Sequence, residues 1–217
     1  MDPHRVGAAT PMTDTSERAT TQRMPAAERR RQLLDVALLA FAEHGYHGTS
    51  MNGVAEAAGV TKPVLYQHFD SKRAIYRELV DDLGRSLESA IALAVSQADG
   101  PRQRVEAGFR AYFRWATSQG AAFRVLFAER NRSDLELASA VAKVEAAIVE
   151  LVASFIEVEG LSADGRRVLA FGIVGLAETT SREWVRLGLG AGHDADAMAD
   201  QVAQLAWSGL RGVTPTP

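Results

Sequence analysis

The sequence predicts an all-α protein of nine helices. Apolar residues recur at helical spacing from Ala26 onward, glycine and proline interrupt this pattern at intervals, and no segment alternates apolar and polar residues as a strand does. With 217 residues, the chain is long enough for one sizeable domain or two small ones that share a core. Residues 1–25 lack the periodicity and are predicted to form a disordered arm.

The first predicted helix is amphipathic and spans about residues 27–44. One face carries apolar residues at helical spacing, namely Leu34, Ala37, Leu38 and Phe41. Gly45 follows this face and is a natural stop, because glycine readily adopts the backbone conformation that ends many helices.

Two short helices are predicted next, over 51–58 and 62–68. Ser50 and Thr61 stand where capping side chains are expected, and Gly59 turns the chain between the two helices. Two short helices joined by a glycine-containing turn have the dimensions of a helix-turn-helix, a motif whose second helix can enter the major groove of DNA.

Longer helices follow this pair. They are predicted over about residues 72–97, 101–118, 120–130, 135–159, 163–188 and 195–211. Ser71 is placed to cap the first of them, and glycine or proline separates several of the others. The sequence has no internal repeat, which argues against a solenoid.

Composition excludes several classes of site. The chain has no cysteine, so it has no disulfide and no thiolate nucleophile or metal ligand. No apolar run approaches the roughly 20 residues of a membrane span and no secretion signal is recognisable, so we expect a cytoplasmic protein without a membrane partner. No nucleophile, base and orienting partner fall into a pattern, so we expect no enzymatic activity, cofactor or metal site.

Bulk charge gives no indication of nucleic-acid binding. The formal net charge is -3, and residues 1–85 carry 11 Lys and Arg against 11 Asp and Glu. An argument for DNA binding therefore depends on where individual side chains lie.

The third helix has one face suited to DNA. On a helical projection Leu65 and Phe69 point toward the preceding helices, while the opposite arc carries Lys62, Pro63, Tyr66 and Gln67. Hydrogen-bond donors, an acceptor and an aromatic ring suit base edges and phosphates in a major groove. Short polar helices with an early proline also occur in all-α proteins that do not bind DNA, so spacing alone leaves both interpretations open.

Residues 29–76 resemble the N-terminal domain of the TetR family of transcriptional regulators. The resemblance rests on the segments "HGYHGTS", "AEAAGV", "LYQHF" and "SKRAIY", in this order. It implies a DNA-binding domain over 26–72, an effector-binding and dimerisation domain over 73–213, and a homodimer that binds a double-stranded operator. Repression is the family default. A helical scaffold that binds partners without DNA is the alternative.

The resemblance also implies which residues meet DNA. Positions that usually approach the duplex, or belong to the recognition helix, are matched by Ser50, Met51, Asn52, Thr61, Lys62, Pro63, Val64, Tyr66, Gln67 and His68. Within this set Tyr66 and His68 match phosphate contacts, and Lys72 matches a cation at the start of the fourth helix. Gly53 and Met51 depart from the commoner polar side chain and threonine at their positions.

The C-terminal half resembles the family more loosely. "RVLFAERNRSDLELASAV", "GIVGLAETTSREWV" and "QLAWSGL" are similar to an actinobacterial branch that responds to long-chain fatty acyl-CoA and includes activators. This resemblance implies an effector cavity lined by some of Phe109, Phe113, Phe123, Phe127, Ile148, Leu151, Ile173 and Ala177, with Thr180 or Arg124 near the mouth. A small planar hydrophobic drug, acting on a regulator of an efflux gene, is the second effector candidate.

The last two helices are predicted to form the dimer. Their apolar series exceeds what one subunit's core requires and comprises Leu169, Ile173, Leu176, Val202, Leu205 and Leu210. We expect these helices to pack against their symmetry mates as a four-helix bundle.

Three other motifs favour structural roles. "GLGAG" at 188–192 follows a predicted helix rather than a strand, which favours an interhelical loop over a dinucleotide-binding loop. His44 and His47 have no third ligand nearby in the sequence, which favours a turn over a metal site. The "RRR" run at 29–31 is either a solvated face or a set of phosphate contacts.

Overall fold

The structure is a computed structural model that describes residues 24–128, 135–187 and 194–213. Within these ranges the chain forms nine α-helices and no strand, which confirms the predicted fold class. The helices are α1 (Ala26–Gly48), α2 (Met51–Ala57), α3 (Lys62–His68), α4 (Lys72–Ser96), α5 (Pro101–Ser118), α6 (Gly120–Phe123), α7 (Leu135–Ser154), α8 (Ala163–Arg186) and α9 (Ala195–Leu210).

Capping side chains explain why several helices begin where predicted. The Ser50 and Ser71 hydroxyls accept hydrogen bonds from the backbone amides of Gly53 (3.0 Å) and Ala74 (3.1 Å). Thr61 occupies the corresponding position of α3, but its side chain makes no capping hydrogen bond. The expectation that its hydroxyl caps α3 is therefore wrong.

Several helix boundaries refine the predictions. Gly45 interrupts α1 where a stop is predicted, because its φ of 72° and ψ of 170° are not helical, and one further turn then runs to Gly48. Helix α6 is α-helical only to Phe123, after which Arg124–Ala128 forms a π-helical turn. Residues 129 and 130 of the predicted helix lie outside the described ranges.

Helix α7 ends five residues earlier than predicted, at Ser154 rather than 159. The backbone amides of Phe155 and Ile156 donate to carbonyls three residues back, at 3.1 and 3.2 Å, which tightens and closes the last turn. Phe155, Ile156 and Val158 then line a cavity instead of extending the helix.

One hydrophobic core joins the N-terminal helices to the C-terminal bundle. Its largest fully buried side chains include Phe41, Tyr76, Phe113 and Phe123. Helix α4 lies centrally, since it packs against α1 on one side and against α5 and α7 on the other.

Helices α4 and α7 pack closely together at Gly84. A Cβ atom built on Gly84 would lie 2.6 and 2.8 Å from the two methyl carbons of Val144. Glycine is therefore required here by the space between the helices and not by backbone conformation. Among the described helices, none combines the length and apolarity that crossing a membrane demands.

Candidate nucleic-acid interface and effector cavity

Helices α2 and α3 are joined by a tight turn. Gly59 adopts a positive φ of 66°, and the amide of Val60 donates to the carbonyl of Ala55 at 2.9 Å. Only glycine adopts this conformation at little cost. Val54 and Leu65 are fully buried between the helices, so the turn and this contact fix the direction of α3.

The exposed side of α3 carries the predicted arc. Thr61, Lys62, Pro63, Tyr66 and Gln67 are exposed, and Val64 and His68 are half-buried. The Lys62 ammonium lies 5.9 Å from the centroid of the Tyr66 ring, at the outer limit of a cation–π contact. The arc therefore presents an ammonium, a phenol and an amide to solvent on one short helix.

The predicted residues at the start of α2 differ in exposure. Ser50 and Asn52 are exposed, whereas Met51 is half-buried and packs against the core. The Ser50 oxygen accepts the capping bond described above, and an exposed hydroxyl can also act as a donor. Met51 therefore has a packing role in addition to any role at the surface.

Arg30, the middle residue of the "RRR" run, fixes the C-terminal end of α3 through contacts that the sequence does not predict. Its guanidinium donates to the carbonyl of His68 and to both carboxylate oxygens of Glu78 on α4. It also lies 4.1 Å from the centroid of the buried Phe69 ring. Arg30 thus connects α1, the end of α3 and α4 through one side chain.

Lys72 lies at a junction inside the N-terminal region. Its ammonium donates to the carbonyls of Tyr46 (2.6 Å) and Thr49 (2.8 Å) and lies 4.3 Å from the Tyr46 ring centroid. These contacts tie the start of α4 to the segment between α1 and α2. The structure thus gives this half-buried cation contacts within the fold that the sequence did not predict.

A cavity of about 380 Å³ lies among α4, α5, α7, α8 and α9. Four predicted effector residues line it, namely Phe109, Ile148, Ile173 and Ala177. Lining residues that the sequence did not single out include Ile91, Val95, Arg104, Gly108, Tyr112, Val152, Phe155, Glu157, Trp207 and Arg211. The lining is mainly apolar, and its volume lies within the range typical of small-molecule sites.

The other predicted effector residues lie elsewhere. Phe113 and Phe123 are fully buried in the core, and Leu151 packs against that core without lining the cavity. Phe127 lines a smaller cavity of about 240 Å³ between α4, α7 and α8. Thr180 lines neither cavity. The sequence identifies the apolar stripes of these helices but does not show which faces meet at a void.

Arg124 also lies away from both cavities. Its guanidinium donates to the carbonyl of Ala42 at 3.3 Å, so it connects the π-helical turn to α1. The same turn accepts a hydrogen bond from the Tyr76 hydroxyl of α4, at 3.4 Å from the Val125 carbonyl oxygen. The π-helical turn therefore contacts both α1 and α4.

Tyr112 connects the cavity wall to this turn. Its hydroxyl lies 3.2 Å from that of Ser181 on α8, and its ring lies 6.1 Å from the ring of Phe127. Burial raises the pKa of Tyr112 well above its ordinary value, so the hydroxyl is neutral at physiological pH.

The structure describes the histidine motif but not the glycine-rich motif, to both of which the sequence assigns structural roles. The His44 Nδ1 atom lies 3.3 Å from the carbonyl oxygen of Ala40, one helical turn away. No three His, Cys, Asp or Glu side chains cluster as a metal site in the part of the chain that the structure describes. The "GLGAG" segment at 188–192 lies outside that part.

Comparison with known proteins identifies the family. Residues 33–79 match the family model described as bacterial regulatory proteins of the tetR family, and residues 101–209 match the tetracyclin repressor-like C-terminal domain. The HTH-type transcriptional activator FasR of Mycolicibacterium smegmatis is 33% identical over 195 residues, which cover 89% of this chain and 88% of FasR.

Solved structures share the fold. A TetR-like transcriptional regulator from Rhodococcus sp. RHA1 has a TM-score of 0.71 at 27% identity, covering 88% of this chain and 100% of that one. The regulator FadR from Bacillus subtilis, solved in complex with stearoyl-CoA, has a TM-score of 0.71 at 21% identity, covering 82% and 98%. Together with the exposed arc of α3, these matches show that the chain belongs to the TetR family of DNA-binding transcriptional regulators.

Proposed function

We propose that this protein is a ligand-responsive repressor that binds a pseudo-palindromic operator as a homodimer. The observation that carries the proposal is the exposed arc of α3, where Lys62, Tyr66 and Gln67 stand on a helix anchored by the buried Leu65. Helix α3 has only seven residues and reaches few base pairs, so a dimer doubles the length of duplex that is read. In this proposal the chain divides near residue 72 into DNA-binding and effector-binding parts.

The side chains of the arc divide by chemistry. Lys62 and Gln67 are proposed to contact base edges, because an ammonium suits guanine and an amide suits adenine. Tyr66 and His68 are proposed to contact phosphates, which set the register of the helix on the duplex. The other proposed DNA-facing positions flank these side chains and are Ser50, Met51, Asn52, Thr61, Pro63 and Val64.

Lys72 has two proposed contributions. Its contacts with the carbonyls of Tyr46 and Thr49 hold the segment that precedes α2, and a phosphate near the start of α4 would add a partner for its charge. Both contributions are independent of base sequence, so the residue supports affinity and not specificity.

The test begins with duplexes that the wild-type protein recovers from sheared genomic DNA. Tyr66→Ala and Lys72→Ala are expected to weaken binding to every duplex, whereas Gln67→Ala is expected to change preference among bases by about 1–3 kcal/mol per lost contact. Gln103→Ala, the same change at an exposed position of α5, is the matched control. Unchanged affinity and preference in all three test variants would contradict the assignment of α3.

The exposed faces of α8 and α9 support the dimer. The residues of α8 classed as exposed between Val168 and Val185 are uncharged and include Phe171 at 58% exposure, and Leu205 of α9 is 63% exposed. The charged side chains of this span form ion pairs along α8, Arg182 with Glu178 and Arg186 with Glu183. Large exposed apolar side chains on both helices favour burial against a second copy.

The structure changes which residues are available for this interface. Val202, part of the predicted apolar series, is buried within its own subunit, and Ile173 and Leu210 of that series line the cavity. Val168 and Phe171 are more exposed, so we propose that they contribute to the dimer contact in place of these three residues.

The cavity supports an elongated, mainly apolar effector. Its walls are aliphatic and aromatic side chains, with charged groups confined to Arg104, Glu157 and Arg211. FadR, whose structure contains stearoyl-CoA, shares the fold, and FasR is the more similar relative in sequence. A long-chain fatty acyl-CoA is therefore the first candidate.

Helix α4 is the proposed route from effector to DNA. Ile91 and Val95 of α4 line the cavity, and Lys72 at its other end contacts the segment before α2. A ligand that changes the position of α4 changes the spacing of the two recognition helices, which must match successive major grooves about 34 Å apart. Such a ligand must bind the DNA-free form more tightly.

Activation is the alternative to repression. The similarity to FasR, a protein named as an activator, favours it. Placing the recovered operator upstream of a reporter gene and measuring transcription with and without the protein distinguishes the two, because a repressor lowers the signal and an activator raises it.

A further inference from the structure

Charged side chains occupy only one end of the effector cavity. Arg104 lies in the first turn of α5, Glu157 in the connector after α7, and Arg211 directly after α9. The remaining lining is apolar or aromatic apart from the glycine at 108. The cavity therefore has an apolar interior and one end where charge meets solvent.

An ion pair at this end is asymmetric. The Arg104 Nη1 atom lies 2.9 Å from the Glu157 Oε1 atom, but the Arg104 side chain is 35% exposed and that of Glu157 67% exposed. Exposed ion pairs contribute little net free energy, and a carboxylate that is already largely hydrated leaves its partner with little further cost. Glu157 is also held by a connector instead of a helix. The Glu157 carboxylate can therefore move away from the pair at little cost, while the Arg104 guanidinium stays in place on α5.

We propose that Glu157 occupies the position that the anionic group of the effector takes when it binds. An amphiphile places its chain in the apolar interior and exchanges its own anionic oxygens for the Glu157 carboxylate on Arg104. This inference rests on the proposed effector cavity and deepens it by naming the ligand's polar end. A guanidinium binds a carboxylate or a phosphate through two parallel hydrogen bonds, so a free fatty acid and an acyl-CoA share the required chemistry.

Arg211 strengthens the selection for anions. It lines the same cavity from the end of α9. The ion pairs Arg110–Asp200 and Arg114–Asp196 show that α5 and α9 run antiparallel, which places the end of α9 beside the start of α5, where Arg104 lies. A neutral amphiphile leaves the Arg104–Glu157 pair intact and gains only the apolar contacts.

The test compares three probes with matched dodecyl chains: dodecanoate, dodecanoyl-CoA and 1-dodecanol. Binding is measured by calorimetry below the micelle concentration. We expect Glu157→Gln to strengthen binding of whichever anionic probe uses the site by about two- to fivefold, which is the range for removing an exposed competing ion pair. We expect Arg104→Gln to weaken binding of the same probe by about tenfold or more, because a charge-assisted hydrogen bond is lost. Neither change should alter binding of 1-dodecanol.

Arg102→Gln is the matched control. Arg102 lies on the same turn of α5 and pairs with Glu106 at 2.8 Å, but it does not line the cavity, so its loss should leave all three affinities unchanged. Whichever of dodecanoate and dodecanoyl-CoA responds to Glu157→Gln identifies a carboxylate or a phosphate as the source of the anion. Equal effects of Glu157→Gln on anionic and neutral probes, or no effect on either anion, overturn the exchange. Wild-type protein that binds none of the probes overturns the proposed effector class as well.

Discussion

Arg30 holds the recognition helix from the side that faces away from solvent. Replacing it with alanine removes the hydrogen bonds to His68 and Glu78 and the contact with the Phe69 ring. We expect Arg30→Ala to lower the free energy of unfolding by about 1–3 kcal/mol. We also expect weaker binding to every duplex without a change in base preference, because Arg30 fixes the end of α3 instead of reading bases. Urea denaturation and DNA titration measure the two effects.

Arg31→Ala is the control for this prediction. The Arg31 side chain is 71% exposed and lies 3.5 Å from Asp35 in an exposed ion pair, so its loss should change the unfolding free energy by less than about 0.5 kcal/mol. An Arg30→Ala protein that is as stable as the Arg31→Ala protein would show that the three-way contact contributes nothing.

The tight packing at Gly84 leads to a prediction about stability. A methyl group at this position meets both methyl carbons of Val144 at under 3 Å. We expect Gly84→Ala to destabilise the fold by about 1–3 kcal/mol, even though alanine is the better helix former.

Gly108→Ala provides the comparison, measured in the same denaturation series. The added methyl would lie 3.5 Å from Val95, an ordinary contact, so stability should stay equal or rise by up to about 1 kcal/mol. Equal stabilities of the two alanine variants would mean that α4 and α7 can separate without cost.

The residue scale also shows how far sequence reasoning reaches. Helical periodicity predicts that Leu65 faces inward and that Lys62, Tyr66 and Gln67 face outward, because only local geometry is involved. It cannot predict the role of Arg30, whose partners lie 38 and 48 residues away along the chain. Nor can it predict the internal contacts of Lys72, which form only once α1 and α4 pack together.

At the scale of elements, α8 and α9 carry a prediction about assembly. We expect Phe171→Glu to weaken the dimer by at least about 30-fold, because it places a charge at the centre of an apolar contact. Sedimentation velocity over a range of protein concentrations measures the dissociation constant.

Leu93→Glu on α4 is the matched control for the dimer prediction. Leu93 is 61% exposed, close to the 58% of Phe171, but lies on α4 and not on the α8–α9 face. It should leave the dimer intact. A wild-type protein that stays monomeric at micromolar concentration, or a Phe171→Glu protein that dimerises normally, would refute the proposed interface.

The elements differ in how well the sequence predicts them. Helices α2, α4 and α5 begin where serine, glycine or proline marks a start, because those signals act within one turn. The π-helical turn after α6 and the early end of α7 escape prediction. The π-helical turn contacts the distant α1 through Arg124, and the residues that follow α7 line a cavity formed with other helices.

For the whole molecule, effector binding and DNA binding should be coupled. We expect palmitoyl-CoA, titrated below its micelle concentration at fixed salt, to release the operator, with free CoA as the control. Linkage requires the operator to weaken palmitoyl-CoA binding by the same factor, which calorimetry on the free and DNA-bound protein can measure. Full retention of DNA affinity with an unchanged thermal midpoint would eliminate the acyl-CoA proposal and leave DNA binding in place.

Occluding the cavity gives the same prediction a structural control. Gly108 lines the cavity, so Gly108→Phe fills part of it while Gly108→Ala adds only a methyl group. The phenylalanine variant should lose its response to palmitoyl-CoA. Its operator affinity should therefore be the same with and without the ligand. The alanine variant should respond as the wild type does.

The close contact at Gly84 lies near the middle of α4 and can act as a pivot for the helix. Lys72 and Val95 lie 12 and 11 residues from Gly84, so the two arms of the helix measure about 18 and 17 Å at 1.5 Å per residue. If α4 tilts about its contact at Gly84, a displacement of the helix near Val95 produces a displacement near Lys72 of nearly equal size and opposite direction. A tilt of about ten degrees moves each end of α4 by about 3 Å, close to the ~3.4 Å by which B-DNA rises along its axis per base pair. A small tilt of α4 is therefore enough to shift its first turn, which follows closely after the recognition helix, by about one base-pair step of the duplex.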